Sequence, residues 1–213
     1  MAKPGHYARA SRDLTRRRGK REPKKRFLVV CEGSKTEPHY VVLVARNAVL
    51  VDVEVADIDA TDPKSLVELA SESKREARRR SRKTGDPNES YDEVWCIFDV
   101  DTHENLREAC DQAKGNDVHL AISNPCFELW LLLHFQSQTR NLDSRAALQE
   151  LRHHLTNYDK TIDSLSELSG KFETAKSRAI ALERKHELDE TPFPSDNPSS
   201  KVWMFVDAVG SEY

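Results

Sequence analysis

The chain lacks any long run of apolar residues. Its longest one surrounds Leu129–Leu133, and this is far shorter than the about 20 residues that a membrane-spanning helix needs. No apolar segment follows the basic N-terminus before Phe27, which is not the pattern of a secretory signal peptide. We therefore expect a cytoplasmic protein that does not associate with a membrane.

Closely spaced cysteine pairs are absent as well. The four cysteines are Cys31, Cys96, Cys110 and Cys126. They form no C-x-x-C motif, so a zinc site is not expected. Three of them lie in apolar segments, and we expect these side chains to be reduced and to belong to the core of a cytoplasmic protein.

A complete phosphate-binding loop is also missing. The segment Gly33-Ser-Lys-Thr36 is similar to the end of a P-loop, but the Walker A motif needs a lysine directly after its second glycine. Here a serine separates Gly33 from Lys35. ATP binding through this segment is therefore not expected.

Lysine and arginine are concentrated in two segments of a chain whose net charge is only −3. Residues 1–26 contain eleven of them against two acids, a net charge of +9, so the remaining residues together carry −12. Because this arm has almost nothing apolar to bury, we expect it to be disordered on its own and attracted to phosphate backbones. Two interpretations stay open, a nucleic-acid-binding arm and a solvated tail that aids solubility.

The second basic segment, within residues 74–83, ends a predicted helix. Cations at that end also complement the helix dipole, so part of this charge has a structural explanation. The cations that we expect to contact nucleic acid are Arg16, Arg17, Arg18, Lys24, Lys25, Arg26, Arg78, Arg79 and Arg80. Neither segment has an aromatic platform of the kind that supports sequence-specific RNA reading.

Short apolar runs alternate with helical patterns in the middle of the chain. Phe27–Cys31 and Val94–Phe98 are continuously apolar, as in strands buried on both faces, whereas Val51–Val55 alternates like a strand nearer an edge. The other predicted elements are a strand at 118–122 and helices from Thr36, from Asp62-Pro63, over 104–114 and from Ser123-Asn124-Pro125. This order predicts an α/β fold, a parallel doubly wound sheet flanked by helices.

The last third of the chain is predicted to be a helical extension. Residues 143–155, 171–187 and 198–209 have helical patterns separated by polar loops that contain proline, and no strand is predicted among them. The predicted organisation is a basic arm at 1–26, an α/β core at 27–136 and a helical extension at 137–213 that packs on the core.

Acidic residues follow two of the predicted buried strands. Asp99 and Asp101 lie two apart at the end of one strand, where alternate residues point to the same face, and Glu32 ends the earlier strand. If these strands are parallel neighbours, the three carboxylates meet at the carboxyl edge of the sheet, where open α/β sheets bind ligands. Such carboxylates repel unless they are protonated or share a cation, and their hard oxygens suit Mg²⁺ or Mn²⁺. The alternative is that they are ordinary polar residues after strands.

Four further residues near these strand ends are candidates for the same site. Lys35 either stabilises charge on a phosphate or is an ordinary solvated lysine. Glu128 lies on an apolar helix, where an acid needs a partner, and is either a metal ligand or a structural residue. His103 is a candidate proton shuttle. Glu37 starts a helix, where the dipole alone favours an acid.

Three segments of the chain together resemble the RloB family. These segments are Phe27–Tyr40, Val94–Asp101 and Ile122–Phe135. In addition, Asn197-Pro-Ser-Ser200 fits the closing helix of that family. RloB proteins are similar to Toprim-fold nucleases and occur beside restriction and phage-defence genes.

The resemblance implies a Toprim-like fold and Toprim-like roles for the acids. Glu32 would be the acid/base or a metal ligand, and Asp99 and Asp101 would be the Mg²⁺ ligands. A positively charged surface next to the site would hold the nucleic-acid backbone. Because defence nucleases are often held silent by another protein, the resemblance also implies an AAA-type ATPase or a sensor as a partner.

We therefore expect metal-dependent hydrolysis of phosphodiester bonds of DNA or RNA, in phage defence or abortive infection. Mg²⁺ would polarise the scissile phosphate and lower the pKa of the attacking water, while Glu32 assists proton transfer. One alternative is a catalytically idle nucleic-acid-binding or effector-assembly module, in which the basic arm is the working part. Another is a haloacid-dehalogenase-like phosphohydrolase, because Asp99-Val-Asp-Thr102 is similar to its nucleophile motif, although His103 stands where that motif has Thr or Val.

Overall fold

The computed structural model describes residues 24–46, 48–56, 62–100, 103–156, 158 and 165–210. Asp101, Arg16, Arg17 and Arg18, which the sequence marks as candidates, lie outside these ranges. Of the predicted basic arm, only the last three residues are among those described. The prediction that the arm is disordered and binds nucleic acid is therefore still a prediction.

Within the described residues, the backbone forms a five-stranded sheet flanked by seven α-helices. The strands are β1 Lys25–Cys31, β2 Val51–Val55, β3 Glu93–Asp99, β4 His119–Asn124 and β5 Ser199–Ser200. The helices are α1 Thr36–Arg46, α2 Pro63–Thr84, α3 Leu106–Asn116, α4 Phe127–Leu133, α5 Ser144–His154, α6 Phe172–Leu188 and α7 Val202–Val209. The sheet order is β2-β1-β3-β4-β5, with β1 to β4 parallel and β5 antiparallel to β4. This Rossmann-like arrangement confirms the predicted α/β fold.

The continuously apolar strands are buried on both faces. Phe27 and Val29 of β1 belong to one hydrophobic core, and Leu28 and Val30 belong to the other. This division follows from the alternation of side chains along a strand. Helices α2 and α3 cover one face of the sheet, and α1 with α4 to α7 covers the other. Burial on both sides explains why β1 and β3 show no polar alternation.

Helix α2 has a clear beginning and end. The side chain of Asp62 accepts a hydrogen bond from the backbone N–H of Ser65 at 3.1 Å, and Pro63 occupies the first turn, as expected for a helix start. At the other end, Gly85 adopts a left-handed conformation with φ of 75° and its N–H donates to the carbonyl of Ser81. The helix therefore has the start that the sequence predicts and runs for 22 residues.

The C-terminal extension differs from its prediction in one element. The expected helix over 198–209 is instead the short strand β5 followed by α7, so the prediction that this region has no strand is wrong. Two serines are too few and too polar to show strand periodicity, and they form a strand only because they pair with Ser123 and Asn124 of β4. The rest of the extension shares the core of the sheet, since Phe205 of α7 packs edge-on against Trp95 at 5.7 Å.

The cysteines and the apolar character of the helices were both subjects of a prediction. All four cysteines are free, and three of them are buried, which confirms that they are core residues without disulfides. None of the helices in the described part of the chain is long and apolar enough to cross a membrane.

Candidate active site

The ends of β1 and β3 lie side by side at the carboxyl edge of the sheet. The two strands are parallel neighbours in which Cys31 is in register with Ile97. The backbone N–H of Glu32 donates to the carbonyl of Ile97 at 3.0 Å. The predicted juxtaposition of Glu32 with Asp99 is therefore a direct result of the strand order.

Both carboxylate oxygens of Glu32 are held in place. Oε2 accepts a hydrogen bond from the backbone N–H of Asp99 at 3.1 Å. Oε1 lies 2.7 Å from Nε2 of His103, whose side chain is about as buried as that of Glu32. A carboxylate that is fixed on both sides has a defined orientation, which is what acid–base chemistry requires of it. The candidate proton shuttle named from the sequence, His103, therefore contacts the candidate acid/base.

Asp99 carries the most unusual environment of the site. Its Oδ1 is buried and has no hydrogen-bond partner among the described residues. Burial raises the pKa of its carboxyl well above the ordinary value, and the nearby carboxylates of Glu37, Glu128 and Glu32 raise it further, while the backbone N–H of Phe127 lowers it. A buried oxygen without a partner costs free energy unless something else binds it.

Glu37 reaches the same edge from the first turn of α1 and is buried. Its carboxylate lies directly against Gly33, so closely that a Cβ at position 33 would overlap it. The Glu-Gly turn after β1 is therefore the part of the motif that makes room for a second carboxylate. In the sequence, the helix dipole alone explained an acid at position 37. The structure in addition brings the carboxylate of Glu37 close to Asp99.

Glu128 also lies near Asp99, in the first turn of the short buried helix α4. Its Oε1 accepts a hydrogen bond from the hydroxyl of Tyr158 at 3.3 Å, and that hydroxyl lies 3.2 Å from Oγ1 of Thr36. Burial, followed by the charge of Glu128, raises the pKa of Tyr158. The acid on the apolar helix thus has the partner that its position requires.

Tyr158 is a site residue that the sequence analysis did not find. It follows α5 in the C-terminal extension, 122 positions from Thr36. No motif surrounds it, and a single tyrosine in a polar stretch carries no local signal. Only the tertiary fold brings its hydroxyl to the acidic edge.

Lys35 lies next to Thr36, where β1 passes into α1, and is exposed. In the part of the chain that the structure describes, its ammonium has no ion pair. Lys35 therefore lies at the rim of the site rather than among the carboxylates. This position is compatible both with a lysine that stabilises charge on a phosphate and with an ordinary solvated lysine.

The acidic edge brings together the oxygen ligands that a hard divalent cation prefers. Glu32, Glu37, Asp99 and Glu128 all supply carboxylates, and one buried oxygen has no protein partner among the described residues. Within the described ranges, no three His, Cys, Asp or Glu side chains are already arranged around a common ion position. Asp101, a predicted ligand, lies outside those ranges. The donor chemistry fits Mg²⁺ or Mn²⁺, and the fit rests on these four carboxylates.

The predicted nucleic-acid contacts near β1 are at the other end of the strand. Lys24 and Lys25 are exposed, whereas Arg26 is half-buried. The guanidinium of Arg26 forms an ion pair with Glu54 at 3.1 Å and lies 4.9 Å from the ring centroid of Tyr91. Arg26 therefore has structural partners, and β1 begins at Lys25 rather than at Phe27 as its apolar run predicted.

The basic end of α2 also lies at the amino edge of the sheet. Asp62, which starts the helix, is close enough to His103 to interact with it electrostatically. Arg80, near the other end, interacts in the same way with Tyr91, which lies just before β3. Arg78, Arg79 and Arg80 are all exposed there. The structure therefore does not bring the described residues of the two basic segments next to the acidic edge.

Comparison with known proteins gives one match. A family model described as RloB-like protein matches residues 27–209. The matched segment begins in β1 and ends at the last residue of α7, so it covers the sheet, the acidic edge and most of the C-terminal extension together. Neither the curated proteins nor the solved structures contain a match to the chain.

Proposed function

The chain belongs to the RloB-like protein family, and we propose that it is a divalent-metal-dependent nuclease that hydrolyses phosphodiester bonds of DNA or RNA at its acidic edge. One observation carries the proposal. The carboxylate of Asp99 has a buried oxygen without a hydrogen-bond partner among the described residues, and three other carboxylates raise its pKa. Carboxylates packed this closely repel one another unless one of them keeps a proton or a cation binds among them, and a divalent cation is the neutralisation that also serves catalysis.

The residues of the edge divide into two groups by what they can do. Asp99, Glu37 and Glu128 are the candidates to hold the metal, together with Asp101 from outside the described residues. A bound Mg²⁺ or Mn²⁺ would polarise the scissile phosphate and lower the pKa of an attacking water. Glu32, oriented by the hydrogen bond with His103, moves the proton of that water.

Two neighbours support these groups. The hydroxyl of Tyr158 holds Glu128 in place from the C-terminal extension, as the second layer around a metal site commonly does. Lys35, at the rim, is placed to offset negative charge on the phosphate. Both roles are testable by substitution without change to the carboxylates.

The proposal includes a biological setting that the family resemblance supports. We propose a role in phage defence, with an AAA-type ATPase or sensor as the partner that keeps the nuclease silent. This part rests on the family alone. Co-expression of the chain with a candidate ATPase checks it, because growth inhibition by the chain should be relieved by the partner and should be absent for Glu32→Gln.

The experiment for the activity is a nuclease assay on the full chain with Mg²⁺, with Mn²⁺ and with EDTA. Glu32→Gln and Asp99→Asn keep the shape of each side chain and should reduce cleavage at least about 100-fold, because each removes a charge from the reacting centre. Glu173→Gln changes an exposed glutamate on α6 in the same way and should cleave like wild type. Full activity in both Glu32→Gln and Asp99→Asn would contradict the proposal.

A second candidate function is a nucleic-acid-binding or effector-assembly module without catalysis. The observation in its favour is the cluster of exposed cations at the amino edge, away from the carboxylates. It requires that nucleic acid binds equally well with and without divalent metal and is never cleaved. This function predicts that Glu32→Gln still binds nucleic acid. It also predicts that the wild type cleaves no form of DNA or RNA.

A further inference from the structure

Helix α2 exposes a row of cations on the side that faces away from the sheet. Its buried residues in the second half include Ala70, Lys74 and Ala77. The exposed residues Arg75, Arg79, Arg82 and Lys83 follow the spacing i, i+4, i+7 and i+8, which places them on the opposite face of a helix. We call these four residues the arginine face.

The cations of the arginine face differ from their neighbours on α2 in having few partners. Arg78 lies 3.9 Å from Asp117, and Arg80 lies 3.9 Å from Glu76. In contrast, the described residues provide no ion pair for Arg79, Arg82 or Lys83. No acid follows Glu76 within the helix, so its last eight residues, 77–84, carry only positive charge.

The helix dipole does not explain the whole arginine face. The dipole favours cations within the last turn of a helix. Only Arg82 and Lys83 lie in the last turn of α2. Arg75 and Arg79 lie farther from the C-terminus, where the dipole effect has faded. The guanidinium of Arg75 donates to Oδ1 of Asn116 at 3.4 Å, so Arg79 is the residue whose position neither the dipole nor a hydrogen bond to another described residue explains.

The length of α2 sets the distance between the arginine face and the acidic edge. The helix starts at Asp62, close to His103, and rises about 1.5 Å per residue. The arginine face begins 13 residues after Asp62 and ends 21 residues after it, which corresponds to about 20–30 Å along the axis. Glu68 and Glu72 are exposed on the same face between the two positions, so this part of the helix repels a polyanion and the arginine face attracts it.

We propose that the arginine face docks the sugar–phosphate backbone of a folded nucleic acid whose scissile bond lies at the acidic edge. The proposal rests on the proposed function, and it adds the class of substrate. Guanidinium groups pair well with phosphate oxygens. A span of about 20–30 Å corresponds to roughly six to nine base pairs at about 3.4 Å each. The substrate is therefore a duplex or a stem-containing molecule of at least about eight base pairs, since a stem of that length is stiff enough to bridge both contacts.

The first test measures binding alone, in EDTA, so that it does not depend on cleavage. The probes are a 20-base-pair DNA duplex and an RNA hairpin with a 20-base-pair stem, titrated over a range of salt concentrations. Arg79→Ala combined with Arg82→Ala should weaken binding about 10- to 100-fold and lower the salt slope by about 2, since each lost phosphate contact removes about 0.9. Arg145→Ala combined with Arg152→Ala removes two exposed arginines from α5 and should leave the slope unchanged.

All these proteins keep the cations of residues 1–23, so the difference between them reports on α2 alone. An unchanged salt slope in the Arg79/Arg82 variant would overturn the docking surface. Failure of the wild type to bind either probe would overturn it as well. A lowered slope that is matched by the α5 control would show general charge attraction and would also contradict the proposal.

The second test adds Mg²⁺ and varies the length of the substrate. The Arg79/Arg82 variant should lose at least about 10-fold in kcat/KM on the 20-base-pair substrate that the wild type cleaves. On a four-nucleotide single strand, which is too short to extend from the acidic edge to Arg79 and Arg82 about 25–30 Å along the helix axis, it should cleave like wild type. Equal losses on both lengths would contradict the docking surface. If Glu32→Gln still cleaves while the salt slope responds to α2 as expected, the proposed function fails and the docking surface stands.

Discussion

The two edges of the sheet differ both in the sign of their charge and in how that charge is solvated. At the carboxyl edge, Glu37 and Glu128 are buried and one oxygen of Asp99 has no partner among the described residues. At the amino edge, Arg79 and Arg82 extend into solvent. A buried charge costs free energy that its neighbours must offset, whereas an exposed charge costs very little. Buried, like-charged residues are therefore stronger signs of a function than a larger number of exposed cations.

Lys74 shows that the sign of a charge does not decide its role. It lies on the same helix as the arginine face but is only 3% exposed. Its ammonium donates to the carboxylate of Asp117 at 2.8 Å and to the carbonyl of the same residue, at the end of α3. This buried lysine joins α2 to the end of α3, where the exposed Arg75 and Arg78 make only longer contacts, at 3.4 Å to Asn116 and 3.9 Å to Asp117.

The largest effect is expected for Glu37→Gln. If Glu37 is a metal ligand, loss of its charge should reduce Mg²⁺-dependent cleavage about 100-fold, or about 2.7 kcal/mol in transition-state free energy. The matched control is Glu76→Gln, an exposed glutamate on α2, which should change cleavage less than twofold. Steady-state kinetics with the 20-base-pair substrate measure both. Equal activity of Glu37→Gln and wild type would remove Glu37 from the site.

The next effect is on stability, for Lys74→Ala. The substitution leaves the carbonyl oxygens of Asn116 and Asp117 without their donor, which should lower the free energy of unfolding by about 2 kcal/mol. Lys83→Ala, at an exposed position of the same helix, should change it by less than about 0.5 kcal/mol. Urea denaturation of both variants measures the difference. Similar urea midpoints for the two variants would show that the buried contacts of Lys74 contribute nothing to the free energy of unfolding.

A smaller and pH-dependent effect is expected for Asp99→Asn in EDTA. The raised pKa of Asp99 means that the folded protein keeps a proton that the unfolded chain loses above about pH 4. The folded state of wild type is therefore destabilised as the pH rises from that value toward the folded-state pKa. Asparagine does not titrate, so the variant should be more stable than wild type by about 1–2 kcal/mol at pH 8, with a difference that shrinks toward pH 4.

Thermal melting at several pH values measures this effect, and added Mg²⁺ should reverse it. The metal stabilises whichever folded protein binds it, so Mg²⁺ should raise the melting temperature of wild type and leave that of Asp99→Asn unchanged. A difference between the two proteins that stays constant from about pH 4 to pH 8 would show that Asp99 is not destabilised by its ionisation. Absence of any Mg²⁺ effect on wild type would argue against the metal site itself.

The smallest effect is expected for the stability of the Arg79/Arg82 variant. Because both side chains are exposed and without ion pairs to other described residues, its free energy of unfolding should stay within about 0.5 kcal/mol of wild type. Arg26→Ala, at the same edge, removes an ion pair and a contact with the ring of Tyr91 and should cost about 1 kcal/mol. A larger loss of stability in the Arg79/Arg82 variant than in Arg26→Ala would mean that the arginine face has partners at residues outside the described ranges.

Much of the site was predictable because it depends on strand order. Two apolar runs typical of strands buried on both faces predicted a parallel sheet, and Glu32 was expected beside Asp99 if the two strands were neighbours, as they are. The contact of Tyr158 with Glu128 had no such rule behind it, because it depends on how the extension folds back over the sheet. The strand β5 was missed for the same reason, since only its pairing partner makes it a strand.

The position of the basic cluster could have been deduced as well. A helix between two parallel strands returns from the carboxyl edge to the amino edge, so its last turns lie far from the ends of the strands. For α2, this rule predicts from the sequence alone that Arg78, Arg79 and Arg80 lie away from Asp99. The family resemblance, which implies a basic surface beside the acids, pointed in the other direction.

The hydrogen bond between Tyr158 and Glu128 also has a consequence for biosynthesis. When a ribosome has just made β4 and α4, the parallel strands and the four carboxylates of the edge have all been synthesised, but Tyr158 has not. Helices α6 and α7, which cover one face of the sheet, follow still later. The acidic edge is thus completed only late in translation, so the proposed activity would arise only after most of the chain has left the ribosome.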